Sequence, residues 1–343
     1  MCKRILIVGK GSIGQLHLKI VKEVLPESEV RIFHYKSDLE PSSLRVPIIS
    51  GRQELLDFNP QIAILANPSP MHVSTGLMLA DLVGCHLLVE KPLSGSFAGA
   101  AALIERMYEK KLILQVAYNL RFLPSLQNFR QRILDNEIGE VLSVRCEVGQ
   151  YLPSWRPTDY RASVSARAEL GGGVLLELSH ELDYLQWIFG PLEWVNAWVG
   201  RLSALEVDVE DSAAVLLGFA EKAPGRAVIA TLNMDFIRHD ATRTCTAIGD
   251  KGSIRWNGIS GTVDTKLNGS NEWCPSTNLP HQREDSYRTQ LLQFLSKIQA
   301  GAYGSESGQN SLDVLRVIEA CRESGANKGA RSYIKDVREE KDS

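Results

Sequence analysis

Three stretches of the chain carry residue types at spacings that suit chemistry on a bound nucleotide. Gly9-Lys10-Gly11-Ser12-Ile13-Gly14 is a G-x-G-x-x-G run. Among 27 glycines such a run arises by chance, so its context carries the weight: it follows the apolar run Arg4–Val8 and opens a segment with helical periodicity. In that setting Gly9 permits the tight turn, Gly11 lets phosphates approach the backbone, and Gly14 lets the helix pack on the strand. The N–H groups of the first helical turn, Ser12 and Ile13 among them, then offer positive charge to a pyrophosphate. The second stretch, Val89-Glu90-Lys91-Pro92, closes another apolar strand. In an open parallel sheet the ligand crevice lies outside the carboxyl ends of the strands, so Lys91 is expected to face the nucleotide. The third follows Gly171-Gly172-Gly173 and sets Glu177, His180 and Asp183 three residues apart. On one continuous helix they share a face. A histidine oriented by carboxylates takes a hydroxyl proton as hydride leaves.

The type of nucleotide is read one strand later. An NAD site usually places Asp or Glu about 20 residues beyond the glycines, on the ribose hydroxyls. Here the strand tip reads His34-Tyr35-Lys36-Ser37, and the first acid is Asp38. A cation and hydroxyls suit the 2′-phosphate of NADP, so NAD or NADP is expected, with a lean to NADP. His34, Lys36 and Ser37 are the candidate contacts.

These residues need elements to hold them. Strand-like runs at 4–8, 30–33, 61–66, 86–89 and 112–117 alternate with helical stretches at 13–24, 72–83 and 96–110. Ile13, Leu16, Ile20, Val21 and Val24 form the apolar stripe of the first helix. Strands separated by helices give a doubly wound parallel sheet, and residues 1–120 are expected to form a Rossmann domain. The texture then changes. A helix over Pro124–Asn136, a strand over Val141–Gln150 and a polar loop over 151–170 lead to one helix over 174–189, stopped by Gly190-Pro191. Runs at 193–199, 212–219, 226–235, 243–248 and 252–256 follow without helices between them, which implies an open, mostly antiparallel sheet. Helices at 284–300 and 308–323 close this second, α+β domain, expected over 121–335 as the substrate-binding and oligomerisation part. Residues 336–343 form a charged tail.

Composition narrows the partners. The chain has 343 residues, 44% hydrophobic and 23% charged, and a net charge of −3 with no basic stripe. A small ligand is expected, not nucleic acid. The six cysteines show no C-x-x-C or zinc spacing, so free thiols and no metal site are expected. No apolar run reaches the roughly 18 residues of a membrane span, and the N-terminus lacks a secretory pattern. A cytoplasmic location follows by elimination.

With Asn67-Pro68-Ser69-Pro70 and His72 ending the preceding strand, the E-K-P stretch after the glycine run resembles the glucose–fructose oxidoreductase / inositol dehydrogenase / rhizopine catabolism (Gfo/Idh/MocA) family. The resemblance covers nearly the whole chain. It implies a Rossmann domain joined to a C-terminal domain with an open antiparallel sheet, and an NAD(P)-dependent oxidoreductase acting on a secondary hydroxyl of a sugar, inositol or nucleotide-linked sugar. It maps the E-K-P lysine, placed near the nicotinamide and the reacting hydroxyl, to Lys91. Beside a cationic nicotinamide an ammonium gives up its proton more readily. His180 carries over as proton acceptor. The family commonly has Asp four residues before this histidine, where Leu176 stands, so Glu177 is the nearest substitute and Asp183 a further catalytic candidate. Asn67, Pro68, His72, Glu90 and Asn119 are expected on the coenzyme. Arg121, in the segment Ala117–Phe122, is expected on the substrate. In the polar loop Trp155 and Arg156 are candidates for the coenzyme, and Tyr160 and Arg161 for the substrate, since Arg pairs with carboxylate or phosphate and aromatic faces stack on sugars. The alternative is a non-catalytic NAD(P)-sensing regulator on the same fold; an imine or enone reductase would look alike in its proton donors. An apolar sheet face in the second domain implies a homodimer or homotetramer.

Overall fold

The computed structural model describes residues 3–34, 46–155, 158–221, 223, 225–275, 279, 282–303 and 306–334. In chain order the first elements are β1 (Arg4–Val8), α1 (Ser12–Val24), β2 (Glu29–Phe33), β3 (Ile48–Ile49), α2 (Arg52–Phe58), β4 (Ile62–Leu65), α3 (His72–Leu82), β5 (His86–Val89), α4 (Phe97–Glu109) and β6 (Leu114–Val116). They are followed by α5 (Pro124–Leu134), β7 (Val141–Gly149), α6 (Val174–Glu177), α7 (His180–Phe189), β8 (Leu192–Gly200), β9 (Ser212–Phe219), β10 (Ile229–Asp235), β11 (Thr242–Gly249) and β12 (Gly252–Asn257). The chain closes with β13 (Thr262–Leu267), β14 (Cys274–Pro275), α8 (Arg283–Gln299), α9 (Glu306–Ala326) and β15 (Ser332–Tyr333). It divides into two compact units, Met1–Asn119 with Gln282–Asp313 and Leu120–His281 with Val314–Ser343. Among the described residues no helix is long and apolar enough to cross a membrane.

The first unit is the doubly wound parallel fold. Its strands run in the order β3-β2-β1-β4-β5-β6, all parallel. Ile5–Val8 and Ile62–Leu65 are buried throughout, as strands covered on both faces must be. Chain order reverses between β1 and β4, the switch point at which such sheets open a crevice. Val8 pairs with Leu65 and Leu65 with Val89, so β1, β4 and β5 end level. The segments beginning at Gly9, Ala66 and Glu90 therefore leave the sheet side by side.

The expected boundary near residue 120 needs correcting in one respect: residues 282–313 belong with the first unit, not the second. Tyr287, Leu291 and Phe294 of α8 are buried in one cluster with Leu18, Ile20 and Val21 of α1. Periodicity marks which face of α8 is apolar but not which core receives it.

The second unit is built on a nine-stranded sheet in the order β14-β13-β12-β11-β7-β10-β9-β8-β15. All its pairings are antiparallel except β10 with β7. Strands β13, β14 and β15 were not expected. β14 and β15 are only two residues long, and all three are held by pairing to β12, β13 and β8, which sequence periodicity does not register. Strand β10 also starts at Ile229, not 226. The single helix expected over 174–189 is two helices, parted at Leu178-Ser179, where a Glu181 N–H to Leu178 carbonyl bond replaces the regular ladder. The polar loop over 151–170 is a succession of 3₁₀ turns at Leu152–Ser154, Tyr160–Ala162, Val164–Ala166 and Ala168–Leu170. The tail from 336 lies outside the described residues.

Phe294 is fully buried in the first unit's core. Phe294→Ala should lower stability by about 3–5 kcal/mol, read as a shift in the urea midpoint. A loss under about 1 kcal/mol would show that α8 is not part of that core.

Candidate functional site

The glycine run is a close-packed backbone turn. Gly9 has φ +102°, and a Cβ there would sit 2.7 Å from the Ala66 carbonyl oxygen. A Cβ on Gly14 would lie 2.3 Å from the Gly9 oxygen, so only glycine lets α1 rest on the turn after β1. At Gly11 a Cβ would meet nothing within 4 Å, which leaves the turn open on the side from which a ligand approaches. Helix α1 starts here with no side-chain cap and no acid in its first turn. The unspent N–H groups of Ser12 and Ile13 and the helix dipole suit an anion. The geometry of Gly9, Gly11, Ser12, Ile13 and Gly14 fits the pyrophosphate of a dinucleotide.

Around that turn, several residues expected on the coenzyme also take part in the protein's own hydrogen bonds. Half-buried His34 follows β2 and donates its backbone N–H to the Ile49 oxygen at 3.0 Å; Lys36 and Ser37 lie outside the described residues. Asn67 follows β4, its Nδ2 donating to Thr75 Oγ1 at 3.2 Å, while its buried Oδ1 accepts no hydrogen bond from the described residues. Pro68 leads into the 3₁₀ turn Ser69–Met71. The His72 ring is 1% exposed, with Nε2 2.8 Å from the Asn67 oxygen and Nδ1 3.0 Å from the Pro92 oxygen. Glu90, also buried, accepts from His17 Nε2 at 2.7 Å. Asn119 Nδ2 donates to Ser286 Oγ at 2.9 Å, tying the end of β6 to α8. Half-buried Lys91 follows β5, and the Lys91–Pro92 peptide is cis. His17 was not singled out from the sequence, although a histidine three residues past Gly14, beside the apolar stripe of α1, was a signal available there.

In the second unit Asp183 and Glu181 are paired with arginines, and Glu177 with a serine. Asp183 is 1% exposed and takes Arg121 in a two-pronged pair, Nε to Oδ2 at 2.8 Å and Nη2 to Oδ1 at 2.7 Å. Burial pushes the Asp183 carboxyl above its ordinary range, and Arg121 only partly opposes that. Asp183 thus orients Arg121, whose guanidinium lies 5.5 Å from the Trp187 ring centre and is 20% exposed. Glu177, parted from α7 by the helix break, accepts from Ser165 Oγ at 2.8 Å and does not share a helix face with His180 and Asp183. His180 is the first residue of α7 and buried. Fully buried Glu181 pairs with Arg243 at 2.8 Å, an ion pair the sequence reading missed because its partner lies 62 residues away. Arg161 is gripped by Asp159 and Glu206, and the Tyr160 hydroxyl accepts from the Glu206 backbone N–H. Trp155 Nε1 donates to the Gln150 oxygen, and its ring meets Phe236 edge-on. These three shape the loop; Arg156 lies outside the described residues.

Burial holds the His72 proton affinity below the ordinary 6.5, outweighing the Asn67 and Pro92 carbonyls and the Glu90 charge that favour the cation. Its contribution to stability is therefore full above pH 6.5 and is lost as pH falls toward the depressed value. His72→Asn should flatten the decline of the urea midpoint as pH falls below 6.5. An unchanged slope would remove His72 as its source.

Residues 3–118 match the model described as "Oxidoreductase family, NAD-binding Rossmann fold", and residues 126–255 match the GFO/IDH/MocA C-terminal domain. Levoglucosan dehydrogenase of Pseudarthrobacter phenanthrenivorans is 28% identical over 195 residues; the match spans 49% of this chain and 48% of that enzyme, about half its length. Myo-inositol 2-dehydrogenase of Thermotoga maritima is 24% identical over 334 residues, 94% of this chain and 96% of the relative. The WlbA dehydrogenase of Bordetella pertussis, solved with NADH and UDP-GlcNAcA, shares the fold with a TM-score of 0.80 at 20% identity, over 98% of this chain and 100% of that one. The glycine cradle, the Glu90-Lys91-Pro92 turn, the parallel sheet and the mixed sheet beyond it are one family's architecture, and the chain belongs to the Gfo/Idh/MocA oxidoreductase family.

Proposed function

We propose that the chain reversibly oxidises a secondary hydroxyl on a sugar, inositol or nucleotide-linked sugar. The observation that carries this reading is the level ending of β1, β4 and β5, which sets the phosphate cradle and Lys91 on one edge of one sheet. The sugar- and inositol-oxidising relatives support the substrate class. A bound nicotinamide coenzyme supplies the hydride acceptor, its C4 carbon. The chain's own residues do the rest. The backbone from Gly9 to Gly14 binds the pyrophosphate. Lys91 holds or releases a proton at Nζ, and His180 takes the hydroxyl proton at a ring nitrogen. Arg121, oriented by Asp183, has N–H groups left over for a polar or acidic substituent. His34 at the tip of β2 brings no carboxylate against a 2′-phosphate, which supports NADP beside NAD and tilts the choice toward it.

Outward residues of the mixed sheet support self-association. Trp198 is 45% exposed and Tyr333 64%, with Leu216 nearby on β9. Burying such a surface against its copy yields a homodimer or homotetramer. Light scattering that finds a monomer at micromolar concentration would sink this part.

A panel of sugars and polyols, assayed for NAD and NADP reduction, tests the reaction, and thermal shifts with each coenzyme rank their binding. Lys91→Ala should abolish turnover while coenzyme affinity stays within about threefold, because the lysine acts on the proton and not on the pyrophosphate. His180→Ala should lower kcat by about 100-fold or more near neutral pH. Near-normal rates in either variant remove that residue from the mechanism. Tight coenzyme binding with no turnover across the panel transfers the reading to a NAD(P)-sensing regulator.

A further inference from the structure

We propose that His17 and His72 are positioning residues for Lys91, gripping the chain immediately before and after it. This rests on the reading of Lys91 as the proton-handling group. The backbone just before the lysine is held through Glu90, whose carboxylate takes His17 Nε2 at 2.7 Å; the two side chains are 10% and 2% exposed. Just after it, the Pro92 oxygen lies 3.0 Å from His72 Nδ1. The other nitrogen of the same ring is 2.8 Å from the Asn67 oxygen, at the end of the neighbouring strand.

Each grip connects Lys91 to a different part of the crevice. His17 lies on α1, the helix whose first turn forms the phosphate cradle, so the helix that meets the phosphates also holds Glu90. His72 opens α3 and joins the turns after β4 and β5. The Tyr287 ring of α8 stands edge-on to His17 at 5.6 Å and helps keep the first pair buried. A lysine on a free loop would spread its four methylenes over many rotamers; anchored on both sides, its ammonium starts from one fixed base. The chemical cost of the arrangement argues in the same direction. A buried imidazole–carboxylate pair and an imidazole against two carbonyls must be desolvated, whereas apolar side chains at positions 17, 72 and 90 would pack without that penalty. What the polar groups add is direction, since a hydrogen bond fixes where Glu90 and Pro92 stand.

The geometry makes the two halves separable. Glutamine carries its NH₂ near the place of an imidazole Nε2, and asparagine near that of Nδ1. His17→Gln therefore keeps the bond to Glu90, and His17→Leu loses it. A neutral His72 donates from one nitrogen only, and the tautomer protonated at Nδ1 makes the bond to Pro92; His72→Asn keeps a donor there, whereas His72→Gln places its donor toward Asn67 instead. Each variant would be measured for NADH binding by fluorescence titration, for kcat on the best substrate of the panel, and for the titration of Lys91, read from the ¹³C resonance of the dimethylated full-length protein and assigned by its absence in Lys91→Arg. In His17→Leu and His72→Gln we expect kcat to fall by about 10- to 100-fold with NADH affinity held within about threefold, as a displaced group should do. The Lys91 resonance and its titration midpoint should move in the same two variants. His17→Gln and His72→Asn should recover most of the lost rate and return the resonance toward its original place. The inference is overturned if His72→Asn and His72→Gln behave alike, or if the losses fall on NADH affinity or melting temperature with the Lys91 resonance unmoved. Should the wild-type chain bind NADH and turn over no substrate, the oxidoreductase reading fails by itself. The resonance pattern across the four variants then decides the positioning role alone.

Discussion

No side chain fits at residue 14, because a Cβ there would lie 2.3 Å from the Gly9 carbonyl oxygen. That contact between the start of α1 and the turn after β1 is the constraint on which the crevice depends. It lets the helix descend directly onto the strand tip, so that its first N–H groups surround an open space. It also sets the position of everything further along α1. His17 reaches Glu90 because the helix lies this close to the sheet, and the apolar stripe of α1 packs against Leu291 and Phe294 for the same reason. A bulkier residue at position 14 would lift the helix, and with it the N–H groups of its first turn, the Glu90 contact and part of the core.

Several ionisable groups are buried in pairs. Asp183 with Arg121, Glu181 with Arg243 and His17 with Glu90 each bring one fully or nearly fully desolvated group against one partner. Such pairs add little net stability, since the desolvation cost offsets most of the attraction, but leaving either member alone is expensive. Their effect is to fix orientation. Arg121 is held with part of its guanidinium still exposed, and Glu90 is held one residue before Lys91. The groups that stay accessible are thus backed by groups that are not.

The two sheets divide the work by their connectivity. A parallel sheet needs a crossover between every pair of strands, which buries both faces and aligns every carboxyl end at one edge, the natural place for a ligand. The mixed sheet needs no such cover on both sides. Val144, Cys146 and Val148 of β7 point inward while Arg145 is exposed, and the outward row includes Trp198 and Leu216. One sheet therefore presents an edge and the other a face.

Much of this was legible in the residues alone. The glycine run, the buried strand before it and the 3.6-residue stripe after it determined the cradle, because each glycine answers a local steric demand that neighbouring residues already define. The alternation of strands and helices up to residue 120, and its loss afterwards, determined the two sheet types, since periodicity and loop length are local properties. What only the tertiary structure decided were the partners. Nothing near Asp183 in sequence points to Arg121, nor near Glu181 to Arg243, and α8 carries no mark assigning it to the parallel-sheet core. The break at Leu178-Ser179 and the strands β13 to β15 likewise follow from long-range bonds and pairings. The physical reason is the same throughout: a hydrogen bond or ion pair is set by distance in space, and the chain records in sequence only the neighbours it has along itself.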